Sequence, residues 1–167
     1  RISRRLARTI RRAPYQVTWH QHFAGTVASC ADRDETWINN TIFALYQQLH
    51  AMGHAHSLEL WEGEELVGGV YGVTLGGAFF GESMFSSQRD GSKLALAFLT
   101  HHLNCRGFRL FDTQFITSHL ASLGAIEIPR HTYQEKLRDA LKVKPHFGAI
   151  TGPDQLSEAL QRSTQTS

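Results

Sequence analysis

Glu82 interrupts the aromatic run Phe79-Phe80-Gly81-Glu82-Ser83-Met84-Phe85, and Asp112 follows the apolar run Phe108 to Phe111, with Gln114 two residues further on. Both stretches read as strands, which puts each acid near the end of a buried strand. A carboxylate there costs free energy unless it is paired or hydrogen-bonded, so each is either a structural anchor or a chemical group. Two acids and an amide, on strands separated by one helix-length connection, favour a site. On a strand, Asp112 and Gln114 would share one face and Thr113 the other.

Other chemistries find less support. His50, His54 and His56 lie within seven residues, yet no carboxylate or Cys completes a ligand set, so no metal is expected. Cys30 and Cys105 lack CxxC spacing, which argues for a reducing compartment, the cytoplasm, and against a disulfide or zinc framework. There is no G-x-S-x-G, no Walker loop and no setting for a nucleophilic Cys. No apolar run reaches the roughly eighteen residues of a membrane span, and no secretory signal pattern occurs, so no membrane partner is expected.

The net charge of the 167 residues is only +2, but Arg1, Arg4, Arg5, Arg8, Arg11 and Arg12 supply six of the seventeen Lys and Arg residues. They alternate with Ile2, Leu6, Ala7 and Ile10 at near-helical spacing. Residues 1–14 therefore form a basic segment, read either as a solvated or transit-peptide-like arm or as an arm that contacts phosphates.

One domain, residues 15–144, should position the acids. A short strand covers Gln16 to Trp19, followed by an irregular stretch through Cys30. Ile38, Ile42, Leu45, Leu49 and Met52 recur at steps of four and three, predicting a helix capped by Asn39 or Asn40 and ended by Gly53. Ser57 to Trp61, Leu66 to Leu75 and Ala78 to Glu82 make a meander, whose glycines Gly68, Gly69 and Gly72 suggest close approach of backbone or ligand. A helix opened by Gly91-Ser92-Lys93 and closed by Gly107 carries Leu96, Leu99 and Leu103 on one face and leads to the strand Phe108 to Phe115. That β-α-β connection makes the two flanking strands parallel neighbours. A short helix at Thr117 to Leu123, a short strand at Ala125 to Ile128 and a helix at Thr132 to Leu141 follow. Residues 145–167 read as a weakly ordered tail.

This α+β pattern, a mixed sheet with an antiparallel meander and a crossover, is shared by acyltransferases of the GNAT type. Gln88 to Lys93 resembles half of their pyrophosphate loop, although Lys93 stands where that loop wants Gly or Ala. A closer resemblance lies in Gly53-His54-Ala55-His56-Ser57, Leu66 to Val73, Gly81 to Ser86, Leu110 to Gln114 with its Asp-x-Gln, and His119 to Ala125 followed by Glu127-Ile128-Pro129-Arg130. In that order these segments are similar to the bacterial leucyl/phenylalanyl-tRNA-protein transferases. Thr113 replaces the Cys usual between Asp and Gln, and the chain begins after the Trp-rich N-terminal segment of that family. It is therefore expected to be the catalytic C-terminal domain of a longer protein.

The resemblance implies a GNAT-like enzyme that moves Leu, Phe or Met from aminoacyl-tRNA to proteins beginning with Arg or Lys, marking them for degradation, without metal or coenzyme. It implies that Asp112 draws a proton from the acceptor amine through Gln114 and that Glu82 and Asp112 form an acidic mouth. Val70, Phe79, Met84, Leu96, Leu99, Leu103 and Phe111 are the candidates for an apolar side-chain pocket, with plain core as the alternative for some. Trp37 would stack near the terminal adenosine and the six arginines would lie on acceptor-stem phosphates. A monomer is expected. Two rivals stay open: an acetyl-coenzyme A acyltransferase and a non-catalytic tRNA-binding module.

Overall fold

The computed structural model describes residues 15–32, 36–88 and 90–148. Strands β1 (Tyr15–Trp19), β2 (Ala55–Glu62), β3 (Glu65–Leu75), β4 (Ala78–Ser86) and β5 (Leu110–Asp112) form one sheet in the order β1-β2-β3-β4-β5. The first four are antiparallel. The turns β2–β3 and β3–β4 are two residues long and use Gly63 and Gly76 at φ 61° and 53°, where a side chain would be strained. After β4 the chain crosses through helix α3 (Gly91–Arg106), which Gly107 ends at φ 83°, and returns as β5 parallel to β4. The mixed sheet with meander and crossover expected from the sequence is therefore present.

Alternation along the strands gives the sheet two apolar faces. On one, Leu58, Leu60, Val67, Val70 and Phe79 pack with Leu94, Ala95, Phe98, Leu99 and Leu103 of α3 and with Trp19, Phe108 and Phe147. On the other, Ala55 and Tyr71 pack with Phe23, Val27 and Cys30 of α1 (Phe23–Ala31) and with Ile38, beside α2 (Asn40–Ala51). Asn39 caps α2 as expected, its side-chain oxygen accepting from the Ile42 N–H at 2.9 Å. Helices α4 (Ser118–Ser122) and α5 (Arg130–Leu141) follow β5.

Several sequence expectations need correction. Helix α1 occupies the stretch read as irregular, although Phe23, Val27 and Cys30 carry the four-then-three spacing of its buried side. The predicted strand over Ala125 to Ile128 is coil, and β5 has three residues where eight were expected. The boundary at Lys144 falls too early, because Phe147 is 3% exposed inside the core and stacks on His56 with ring centroids 4.2 Å apart. A Cβ on Gly69 would meet the Thr26 methyl of α1 and the Leu58 carbonyl, and one on Gly72 the Phe80 carbonyl, so the close backbone approach expected at these glycines is present. The predicted basic segment 1–14, with its six arginines, lies outside the described residues, as does the tail from 149 onward.

Candidate active site

The site begins with a break in sheet pairing. Gly81 and Ser83 of β4 pair with Gly72 and Tyr71, consecutive residues of β3, so Glu82 is the extra residue of a bulge. Bulges re-aim side chains, and here the effect falls on the acid. On the other side, β5 pairs with β4 only from Ala78–Leu110 to Phe80–Asp112. Beyond Phe80 the two strands part, and Glu82, Asp112 and Gln114 stand at the parting. Glu82 therefore sits within its strand, four residues before the end, where the sequence reading had it near the terminus.

Asp112 and Gln114 meet by a different route from the one expected. Asp112 is the last residue of β5, and Gln114 lies past it in a turn with φ 66°, so a shared strand face does not join them. The Asp112 carboxylate instead accepts the Gln114 main-chain N–H on Oδ1 at 2.7 Å, a side chain-to-backbone closure of the Asx-turn kind. The turn swings the Gln114 amide back over β4, where Nε2 donates to the Gly81 carbonyl at 3.2 Å and to Glu82 Oε2 at 3.3 Å. Acid, amide and acid are thus tied together, and the direct bond between Asp112 and Gln114 runs through the backbone rather than the side-chain amide.

Two tyrosines missed by sequence reasoning complete the array. The Tyr133 hydroxyl of α5 donates to Asp112 Oδ2 at 2.6 Å, and the Tyr46 phenol of α2 lies close enough to Glu82 to feel its charge. Burial, then the hydrogen bond and the charge of Asp112, push the Tyr133 phenol up to about 12. The Tyr46 phenol is raised by burial first and then by Glu82. Both remain protonated at neutral pH. Their signal lay in helix periodicity: Tyr46 follows Ile42 by four and precedes Leu49 by three, and Tyr133, Leu137 and the buried Ala140 repeat the same steps.

The aminoacyl-pocket candidates divide. Val70, Phe79, Leu99 and Leu103 belong to the packed core and Met84 and Phe111 lie against it, while Leu96 is buried outside that cluster. The buried part of α3 is wider than the three-leucine stripe, taking in Leu94, Ala95, Phe98 and His102 as well. A cleft of about 580 Å³ opens between the end of α1, the outer half of β4 and the start of α3, lined by Ser29, Asp32, Met84, Phe85, Ser86, Ser87 and Ser92. Met84 alone joins the pocket candidates to it. Trp37 is 50% exposed before α2, its ring edge-on to Tyr46 at 6.2 Å. In the segment likened to half a pyrophosphate loop, the Lys93 ammonium is 3.0 Å from the Asp90 carboxylate, so its charge is matched within the turn. Among the described residues no group of three His, Cys, Asp or Glu is arranged to hold a metal ion, and no helix is long and apolar enough to cross a membrane. His50, His54 and His56 in particular form no such group: His50 Nδ1 lies 2.8 Å from the Ala55 carbonyl, and His56 lies 3.0 Å from both His20 Nε2 and Thr74 Oγ1.

Two carboxylates and an amide stand together at the parting of two parallel strands, and the cleft lies further along β4, at Met84 to Ser86. Residues 1–138 match the leucyl/phenylalanyl-tRNA protein transferase family. Relatives with that name include one from Cereibacter sphaeroides, 63% identical over 166 residues, covering 99% of this chain and 78% of its own length. Another from a Ruegeria species is 57% identical over 169 residues, covering 100% of this chain and 79% of its own. A third, from Maricaulis maris, is 53% identical over 171 residues, covering 99% and 78%. Among solved structures, the aminoglycoside N-acetyltransferase AAC(6')-Iy is similar at a TM-score of 0.43 and 14% identity, over 83% of this chain and 96% of that one. The chain belongs to the leucyl/phenylalanyl-tRNA protein transferase family and is an aminoacyltransferase.

Proposed function

We propose that the chain transfers leucyl, phenylalanyl or methionyl groups from aminoacyl-tRNA to the N-terminal Arg or Lys of proteins, in the cytoplasm and as a monomer, marking those proteins for degradation. An aminoacyl ester is already activated, so no covalent nucleophile is needed. The acceptor's amine nitrogen attacks the ester carbonyl, an amide C–N bond forms, the C–O bond to the terminal ribose breaks, and the ribose oxygen leaves with a proton. An α-amine with a reference pKa near about 8 is mostly protonated at neutral pH, so a group that accepts a proton near it is useful.

The observation that carries this reading is the joined array of Asp112, Gln114 and Glu82. With its amide N–H₂ committed to Gly81 and Glu82, Gln114 offers its carbonyl oxygen to the amine, and Asp112 receives the proton. Glu82 and Asp112 together give an acidic mouth for the basic side chain of the acceptor. Met84, which lines the cleft, and Leu96 are assigned to the transferred side chain, and Trp37 to the terminal adenosine.

Asp112→Asn keeps the size and removes the charge. It should lower transfer to a peptide beginning with Arg by about 10²-fold or more, with aminoacyl-tRNA binding nearly intact and partial rescue at raised pH. Gln114→Ala should fail at the same step. Transfer at the parent rate by Asp112→Asn at neutral pH would refute the assignment.

A further inference from the structure

Tyr133 reaches the site from a helix to which neither acid belongs. Its hydroxyl donates to Asp112 Oδ2 at 2.6 Å while the other oxygen of the same carboxylate holds the Gln114 N–H at 2.7 Å. A terminal carboxylate swings broadly about its last torsion, and one hydrogen bond leaves that swing free. A bond to each oxygen fixes the plane.

The helix carrying the phenol is itself held. Ala140 of α5 is fully buried, its carbonyl accepts the Gly77 N–H at 2.8 Å, and Arg109 Nη1 donates to the Asp139 carbonyl at 3.3 Å. These contacts lie one to two turns along α5 from Tyr133, roughly 10 Å at the helical rise. The helix is thus anchored to the β3–β4 turn at one end and presents its hydroxyl to Asp112 at the other. Asp112 has the opposite situation: it is the last paired residue of β5, and the chain beyond it turns through the left-handed Gln114.

We propose that Tyr133 is a positioning residue for transfer: its hydroxyl sets the plane of the Asp112 carboxylate and, through the Oδ1 bond to the Gln114 N–H, keeps the Gln114 amide aimed at Gly81 and Glu82. The inference rests on the roles given to Asp112 and Gln114 above. Burial and the neighbouring carboxylate keep the phenol protonated through the working pH range, so the donor is always present. A phenol that merely clipped α5 to the sheet would affect stability and leave the chemical step alone.

The test uses the full chain with phenylalanyl-tRNA and a peptide beginning with Arg. Tyr133→Phe removes one oxygen; kcat should fall by about 10- to 100-fold while KM for both substrates stays within about twofold, the pattern of a lost alignment rather than lost binding. The double variant Tyr133→Phe, Asp112→Asn should be no slower than Asp112→Asn alone, because both act on one unit. A chain with a fluorinated tyrosine at position 133 keeps the ring and the hydroxyl, but the phenol ionises at lower pH. Its activity should match the parent at neutral pH and drop on the alkaline side, where a phenolate would face Asp112. If Tyr133→Phe fails to fold, the fluorinated chain decides alone. Parent kcat in Tyr133→Phe beside an impaired Asp112→Asn, or an unchanged alkaline profile in the fluorinated chain, overturns the role of Tyr133 and leaves the reading of Asp112 standing. Parent activity in Asp112→Asn overturns both.

Discussion

Replacing Phe147 with Ala tests whether the chain beyond Lys144 belongs to the domain. The ring is 3% exposed, stacks on His56 at 4.2 Å and lies 5.8 Å from both Trp19 and Phe79. Removing a fully buried Phe costs about 3–5 kcal/mol in lost transfer energy and residual cavity. At about 2–4 °C per kcal/mol for a domain of this size, Tm should fall by roughly 6–20 °C.

A second readout comes from the imidazoles packed on the same ring. Burial first, then the charges of His20, His50, His102 and His146, holds His56 down at about 3. Burial holds His102 at about 4 despite its bond to the Phe147 carbonyl at 2.7 Å, and burial also lowers His20. These folded values lie below the unfolded value near 6.5, so below that pH the unfolded chain binds protons the folded chain refuses. The stability these rings contribute is complete above about pH 6.5 and is lost as pH falls towards the folded values. Two such groups over two pH units give about 5 kcal/mol by linkage; halved for solvent screening, the loss between about pH 6.5 and 4.5 is on the order of 3 kcal/mol. Phe147→Ala lets water reach both rings and should flatten that slope. Denaturant midpoints measured from about pH 7 down to pH 4.5 in both chains read the two effects together. A midpoint within error of the parent, with an unchanged pH slope, would refute the packing argument.

Neutralising Arg4, Arg5 and Arg8 together should weaken aminoacyl-tRNA binding and flatten its salt dependence, since each phosphate contact releases counterions; a filter-binding titration with an unchanged salt slope would rule these arginines out. Leu99→Ala should cost about 2–5 kcal/mol, because Leu99 is 1% exposed in the core, and should shift donor preference towards bulkier side chains if the space joins the cleft. Lost stability with an unchanged ranking of leucyl, phenylalanyl and methionyl donors would make Leu99 core alone.

Legibility in the sequence followed the range of the interactions. The meander, the crossover and the caps at Asn39 and Gly107 are local matters of alternation, turn residues and helix ends, and they are written in neighbouring positions. The acids Glu82 and Asp112 were visible because a charge inside an apolar run is unusual at any range. How they meet was not visible. The bulge at Glu82 depends on the register of β4 against β3, and the left-handed turn at Gln114 depends on a hydrogen bond that forms only once β5 ends at Asp112. Tyr46 and Tyr133 looked like ordinary members of amphipathic helices, since only the packing of α2 and α5 turns their hydroxyls to the acids. Phe147 was hidden for the converse reason: it stands in a segment without periodicity and owes its burial to rings from β1, β2, β4 and α3.

The left-handed backbone at Gln114 sets limits on how this position can vary. A non-glycine residue at φ 66° costs on the order of 1 kcal/mol relative to glycine, and asparagine, which tolerates the conformation better, has a side chain one carbon too short to span from β5 to Gly81 and Glu82. Glycine here should make the loop more comfortable and leave the two acids without their amide. Reach and conformational ease are opposed at a single residue: Gln114→Gly would relieve the backbone and at the same time remove the hydrogen bonds that join Gly81 and Glu82 to the turn after β5.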